Sequence, residues 1–132
     1  MFFNKPLLKE IFWLSVLVAG LHYMALKLFL YWTTPWFDIV MHFLGGFLIG
    51  IIILCILINF IGVAFLNNKK VLFILTLSGV LAVGLGWELW EIFLGWTDVL
   101  EDQFDTILDV VMDSIGAFLA FIYSKKYIWE QE

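Results

Sequence analysis

Asp38 precedes His42 by four residues, Glu88 precedes Glu91 by three, and Asp105, Asp109 and Asp113 recur every four residues. On a helix, each of these spacings puts its members on one face. Carboxylates and an imidazole arrayed in this way can hold a divalent ion, relay protons, or neutralise one another by sharing protons. An oxygen-rich set suits Mg²⁺, Ca²⁺ or Mn²⁺, and a histidine shifts the choice toward Mn²⁺, Fe²⁺ or Zn²⁺. The candidate metal ligands are His42, Glu88, Glu91, Asp105, Asp109 and Asp113. The candidate catalytic residues are Asp38, His42, Glu88 and Asp109. Asp38, one turn before His42, is expected to orient the imidazole, as a second carboxylate does for a ligand histidine.

The chain that must position them is overwhelmingly apolar. Of its 132 residues, 64% are hydrophobic and only 14% charged. A soluble domain is about half apolar and a quarter charged, and a soluble chain of this size could not bury so much apolar surface. Disorder is excluded by the same hydrophobicity. The fold class that follows is an all-α membrane protein, a four-transmembrane-helix bundle forming a single domain over 1–132. A span needs about 20 apolar residues, and four stretches qualify, at about 11–32, 37–65, 71–96 and 105–123. The first reads as a retained helix rather than a cleaved signal. Its apolar run continues for about ten residues beyond Val18-Ala19-Gly20, whereas a signal's apolar region is about 7–15 residues long.

The charges divide between the two ends of such a bundle. Six of the seven lysines (Lys5, Lys9, Lys69, Lys70, Lys125 and Lys126) fall on the side shared by both termini, which predicts cytoplasmic termini. Nine of the twelve acids fall on the other side: Asp38, Glu88, Glu91, Asp98, Glu101, Asp102, Asp105, Asp109 and Asp113. Lys27 is the one lysine among them, and it either snorkels outward or serves as their counter-ion. At a helical rise of about 1.5 Å per residue, Asp109 lies roughly 6 Å in from the outer ends, His42 and Glu91 roughly 8 Å, and Glu88 and Asp113 roughly 12 Å. Three helices thus bring acids to one layer. Gly45, Gly46, Gly84 and Gly116 share these faces, and small residues let membrane helices approach closely. An ionised acid at the centre of a span costs about 2.5–3.5 kcal/mol, so these carboxylates require an ion, protons or water.

Plainer roles stand beside these. Thr34 as N-cap, Pro35 at the first helical position and Asp38 in the first turn make an ordinary helix start. Asp102 and Asp105 can be a cap and a first-turn acid, and Asp98 and Glu101 solvated loop residues. His22 has no charged partner on its own helix and reads as a hydrogen-bonding packing residue. Trp13 and Trp129 suit the inner interface, Trp32, Trp36 and Trp96 the outer one, and Trp87 and Trp90 read as lipid-facing packing. Cys55, the single cysteine, reads as a small hydrophobe. An acidic chain without arginine does not suit nucleic acid. It carries no phosphate-binding loop, no Gly-x-Ser-x-Gly and no His-Glu-x-x-His, so neither a nucleotide nor a flavin is expected.

The order Asp38-x-x-x-His42-x-x-Gly45-Gly46, Trp87-Glu88-x-x-Glu91, Asp102-x-x-Asp105-Thr106-x-x-Asp109 and Asp113-x-x-Gly116-Ala117 resembles the VanZ-like group of small bacterial membrane proteins. It resembles the related YjdF-like inner-membrane family more closely. The resemblance spans about 36–120. It implies a multi-pass protein of the bacterial cytoplasmic membrane, in some members linked to glycopeptide-antibiotic resistance. Three functions remain open at this point. One is a metal-dependent enzyme acting on lipid or lipid-linked envelope substrates, in which the ion polarises a phosphoryl or carbonyl oxygen and activates water. The others are a non-catalytic binding or accessory protein, and a proton or cation handler. The lipid bilayer is the expected environment, and the glycines would let two copies pack as a homodimer.

Overall fold

The computed structural model describes residues 5–60, 68–96 and 103–128. Among them lie four long helices and one short one: α1 (Lys5–Leu28), α2 (Leu30–Thr33), α3 (Pro35–Phe60), α4 (Lys69–Leu94) and α5 (Gln103–Ile128). The four long helices are each long and apolar enough to cross a membrane, as the sequence predicts. Asp98, Glu101, Asp102, Trp129, Glu130 and Glu132 lie outside the described residues.

The helix ends have local causes. Pro35 opens α3 and Asp38 lies in its first turn, where an acid complements the positive end of the helix dipole. Asn68 caps α4, its side chain accepting from the Val71 amide at 3.2 Å. Gly95 closes α4 in the left-handed conformation, at φ 71°. Its amide donates to the Ile92 carbonyl at 3.1 Å, and the Trp96 amide donates to Glu91 at 3.0 Å. This paired closure needs a residue free to adopt positive φ, which is why glycine sits there.

The first span departs from the expected single helix to residue 32. It breaks at Phe29, which takes a left-handed conformation at φ 56°, unusual for a bulky side chain. No glycine or proline announces the break. After it, α2 folds back, with the Thr33 amide and hydroxyl both donating to the Phe29 carbonyl at 3.0 Å.

The main packing seam joins α3 to α5. Gly46 and Gly50 lie one turn apart on α3 and meet Asp113, Ala117 and Ala120 of α5 in parallel register. A Cβ on Gly46 would fall 2.7 Å from the Asp113 Cα, and one on Gly50 would fall 2.7 Å from the Ala120 Cβ. Backbones this close admit no side chain, the usual device of small-residue seams in membranes. Toward the lysine-bearing end, Leu7, Ile51, Leu54, Cys55, Leu72, Ala120 and Phe121 form the apolar core. The first span is held more loosely. Leu7 and Ala25 are the only described α1 side chains that are fully buried, and a gap opens between these two anchors.

Candidate functional site

The acid-bearing half is built from three helices around one imidazole. Asp38 and His42 stand one turn apart on α3. One turn further, Gly46 admits α5 closely enough to bring Asp113 alongside. On α4, the space that a side chain at Gly84 would occupy is filled by the Asp113 carboxylate. Glu88 lies one turn beyond Gly84, and Asp109 one turn before Asp113. His42 is 7% exposed, Glu88 4%, Asp109 2% and Asp113 5%.

The two nitrogens of His42 face different partners. Nε2 lies 3.8 Å from Asp38 Oδ1, 3.7 Å from Glu88 Oε1 and 3.9 Å from Asp109 Oδ2. Nδ1 lies 3.5 Å from Asp113 Oδ2. The three separations at Nε2 are too long for hydrogen bonds, which run to about 3.2 Å. They approach the spacing of ligand atoms around a shared ion, since ligands about 2.0–2.2 Å from a tetrahedral metal stand roughly 3.4 Å apart. Asp38, His42 and Asp109 each offer one ligand atom, all within 4.8 Å of one another.

Two oxygens of this cluster lack a partner within the protein. Glu88 Oε1 and Asp109 Oδ1 are buried and have no hydrogen-bond partner. Such groups are costly in an apolar surround. The second Glu88 oxygen is satisfied across helices, since the Thr106 hydroxyl donates to Oε2 at 3.0 Å. Glu88 is thereby turned with its open oxygen toward His42. Lys27 does not compensate these charges. It is exposed, with its ammonium 5.7 Å from the centre of the Tyr23 ring, as a snorkelling lysine would be.

The structure thus brings Asp38, Glu88, Asp109 and Asp113 around His42, and places Glu91 and Asp105 at the edge of this cluster rather than against the imidazole. Glu91 is half-buried and accepts from the Trp87 indole nitrogen at 2.9 Å. Asp105 is exposed in the first turn of α5, the position of a plain dipole-complementing acid. The orienting carboxylate also differs from expectation. Asp113 lies at Nδ1, while Asp38 shares the Nε2 side with Glu88 and Asp109. The sequence pairs His42 with its helical neighbour, but the close approach at Gly46 and Gly84 puts a residue from another helix behind the ring.

Motif reading leaves two contributors without a role. Thr106 is visible only as the residue three before Asp109. Tyr31 is hidden altogether, because its role depends on the break at Phe29. In a continuous helix, residues nine apart lie about 14 Å apart along the axis and on opposite faces. Here Tyr31 Oη lies 2.7 Å from His22 Nδ1, and His22 packs edge-on against Trp87, with ring centres 5.7 Å apart. Burial, then the nearby Asp38 and Glu91 carboxylates, push the Tyr31 phenol well above its ordinary value, so it stays protonated.

The family model described as "Predicted membrane protein (DUF2238)" matches residues 2–130. The chain belongs to this family. No curated protein and no solved structure matches it. The match supports a membrane-protein family and leaves the VanZ-like and YjdF-like resemblances as motif-level likenesses.

Beside the cluster, the gap between the two anchors of α1 forms a cavity of about 390 Å³. Its walls come mainly from α1, α3 and α4, with Tyr31 of α2 and Asp113 of α5 also lining it. Asp38, His42 and Asp113 reach it from the acid-bearing end, together with His22. Leu48, Ile49 and Val80 line the part deeper in the bundle. A polar end and an apolar remainder are the ordinary make-up of a small-ligand site.

Proposed function

We propose that this protein is a metal-dependent membrane enzyme whose ion is held by Asp38, His42 and Asp109, with Glu88 completing the set and Asp113 orienting the imidazole from Nδ1. The observation that carries the reading is the pair of buried oxygens without a hydrogen-bond partner, Glu88 Oε1 and Asp109 Oδ1, in a cluster where Glu88 Oε1 and the other Asp109 oxygen, Oδ2, lie 3.7 and 3.9 Å from His42 Nε2. A bound divalent ion would supply both oxygens with a partner, polarise a phosphoryl or carbonyl oxygen and make water nucleophilic near neutral pH. Asp113 behind the ring would fix the tautomer that leaves Nε2 free to ligate. With the termini cytoplasmic, as the lysine distribution suggests, the cluster lies near the outer headgroup layer of a bacterial cytoplasmic membrane. Its substrates are then lipids or lipid-linked envelope precursors, in keeping with the VanZ-like resemblance.

Elemental analysis of the purified protein tests this directly. Wild type should carry one divalent ion per chain, and Asp109→Asn and Glu88→Gln should both lose it while remaining folded. Wild type that stays metal-free after soaking with Mg²⁺, Mn²⁺, Ca²⁺ and Zn²⁺ overturns the proposal.

A further inference from the structure

The cavity narrows the substrate class, and this step rests on the reading that cluster and cavity form one site. Its lining contains two acids, Asp38 and Asp113, and two histidines but no lysine or arginine. Lys27, the only lysine at that end, is exposed and turned onto Tyr23. A phosphate head entering here would meet Asp38 and Asp113 with no lysine or arginine beside it. Four carboxylates surround His42 and outnumber the two charges of any divalent ion among them. Like charges brought together out of water are strongly unfavourable. Hydrogen-bonding groups, by contrast, are at hand: the protonated Tyr31 hydroxyl, His22 and Asp38.

Apart from the Ser15 hydroxyl, the rest of the cavity fits a hydrocarbon chain. Val18, Leu48, Ile49, Val80 and Val83 carry no polar atoms beyond the backbone. Ala19 and Val83 line the cavity and are at the same time exposed, in the middle of α1 and α4. The gap between these helices therefore opens sideways, at a depth where the surroundings of a spanning helix are acyl chains.

We infer that the cavity takes, from the bilayer, a lipid with a single apolar chain and an uncharged hydrogen-bonding head, a hydroxyl, ester or amide, rather than a phosphate. The head lies between Asp38 and the Tyr31–His22 pair, and the chain runs along Ile49 and Val80.

The test is native mass spectrometry on the full chain in detergent, given an equimolar mixture of a monopalmitoyl glycerol and monohexadecyl phosphate. The glycerol ester should be retained over the phosphate by roughly a hundredfold, the discrimination that like-charge repulsion implies. Gly45→Leu should abolish retention. A Cβ at Gly45 meets nothing within 4 Å, so the larger side chain grows into the cavity without disturbing the helices, and unchanged metal content in that variant checks the fold. Retention of the phosphate as well as or better than the ester overturns the inference. So does retention of neither, or retention unchanged in Gly45→Leu. Metal binding is scored on the same samples, so an ester-binding protein without metal would sink the metalloenzyme and keep this inference, and the reverse result would do the opposite.

Discussion

The two halves of the bundle treat their polar groups in opposite ways. Toward the lysine-bearing end, Thr76, Ser124 and Asn59 each donate to a carbonyl of their own helix, at 2.8, 3.0 and 2.6 Å, onto Leu72, Phe121 and Cys55. These three groups are satisfied within their own helices, and Leu54, Ile51 and Phe121 belong to the apolar core of that half. At the acid-bearing end, the polar groups reach between helices: Thr106 of α5 to Glu88 of α4, and His42 of α3 to carboxylates on all three. Two oxygens remain open even so. In one half these polar groups close on their own helices, and in the other, carboxylates from three helices gather around one imidazole. That is the contrast expected between a scaffold and a site.

The seam that makes both halves possible gives the largest expected effect. Gly46→Val would drive a side chain into the Asp113 backbone. It should cost about 3 kcal/mol or more, enough to lose cooperative thermal unfolding in detergent. Gly45→Ala, one residue away, should leave the melting curve unchanged. Equal damage from both would show that the seam is not where the helices touch.

The halves should then separate by what they lose. Leu54→Ala should cost about 2–5 kcal/mol and leave the bound ion per folded chain intact. Asp109→Asn should do the reverse, losing the ion while the metal-free protein melts no lower than wild type, because an amide replaces a buried carboxylate. A metal-free Asp109→Asn protein that melts well below wild type would make the cluster part of the scaffold.

The smallest contrast compares two threonines. Thr106→Val removes the hydroxyl that aims Glu88 and should weaken metal affinity roughly 10-fold, the low end of losses from such supporting contacts, with about 1 kcal/mol of stability. Thr76→Val removes a bond internal to one helix and should leave metal affinity unmoved by isothermal titration.

Much of this was legible beforehand, for physical reasons. Bilayer thickness sets span length, so composition and run length yield four helices. Burial of acids in apolar helices is costly enough that Glu88, Asp109 and Asp113 had to face inward, and Gly46, Gly84 and Gly116 mark the faces that do so. What periodicity cannot give is which of two turns on one face reaches the centre. Glu91 and Asp105 share stripes with Glu88 and Asp109, yet Glu91 turns to Trp87 and Asp105 to the surface. Nor can it give a break with no sequence mark, as at Phe29, and Tyr31 is invisible without it. The assignment of Asp38 as the carboxylate behind the ring failed for the same reason. Neighbours in sequence are easy to see, whereas Asp113 reaches His42 only through tertiary packing.

The break at Phe29 also has a mechanical meaning. Along α1 only Leu7 and Ala25 are fully buried, with Ile11 and Leu14 packed against the core from partly buried positions, whereas α3 and α5 are locked along a glycine seam. Pulled by its N-terminus from a supported membrane, the chain should yield in two stages. The first span should peel away at low force and stop at the left-handed corner. The remaining three helices should then resist together and come out as one unit at a distinctly higher force.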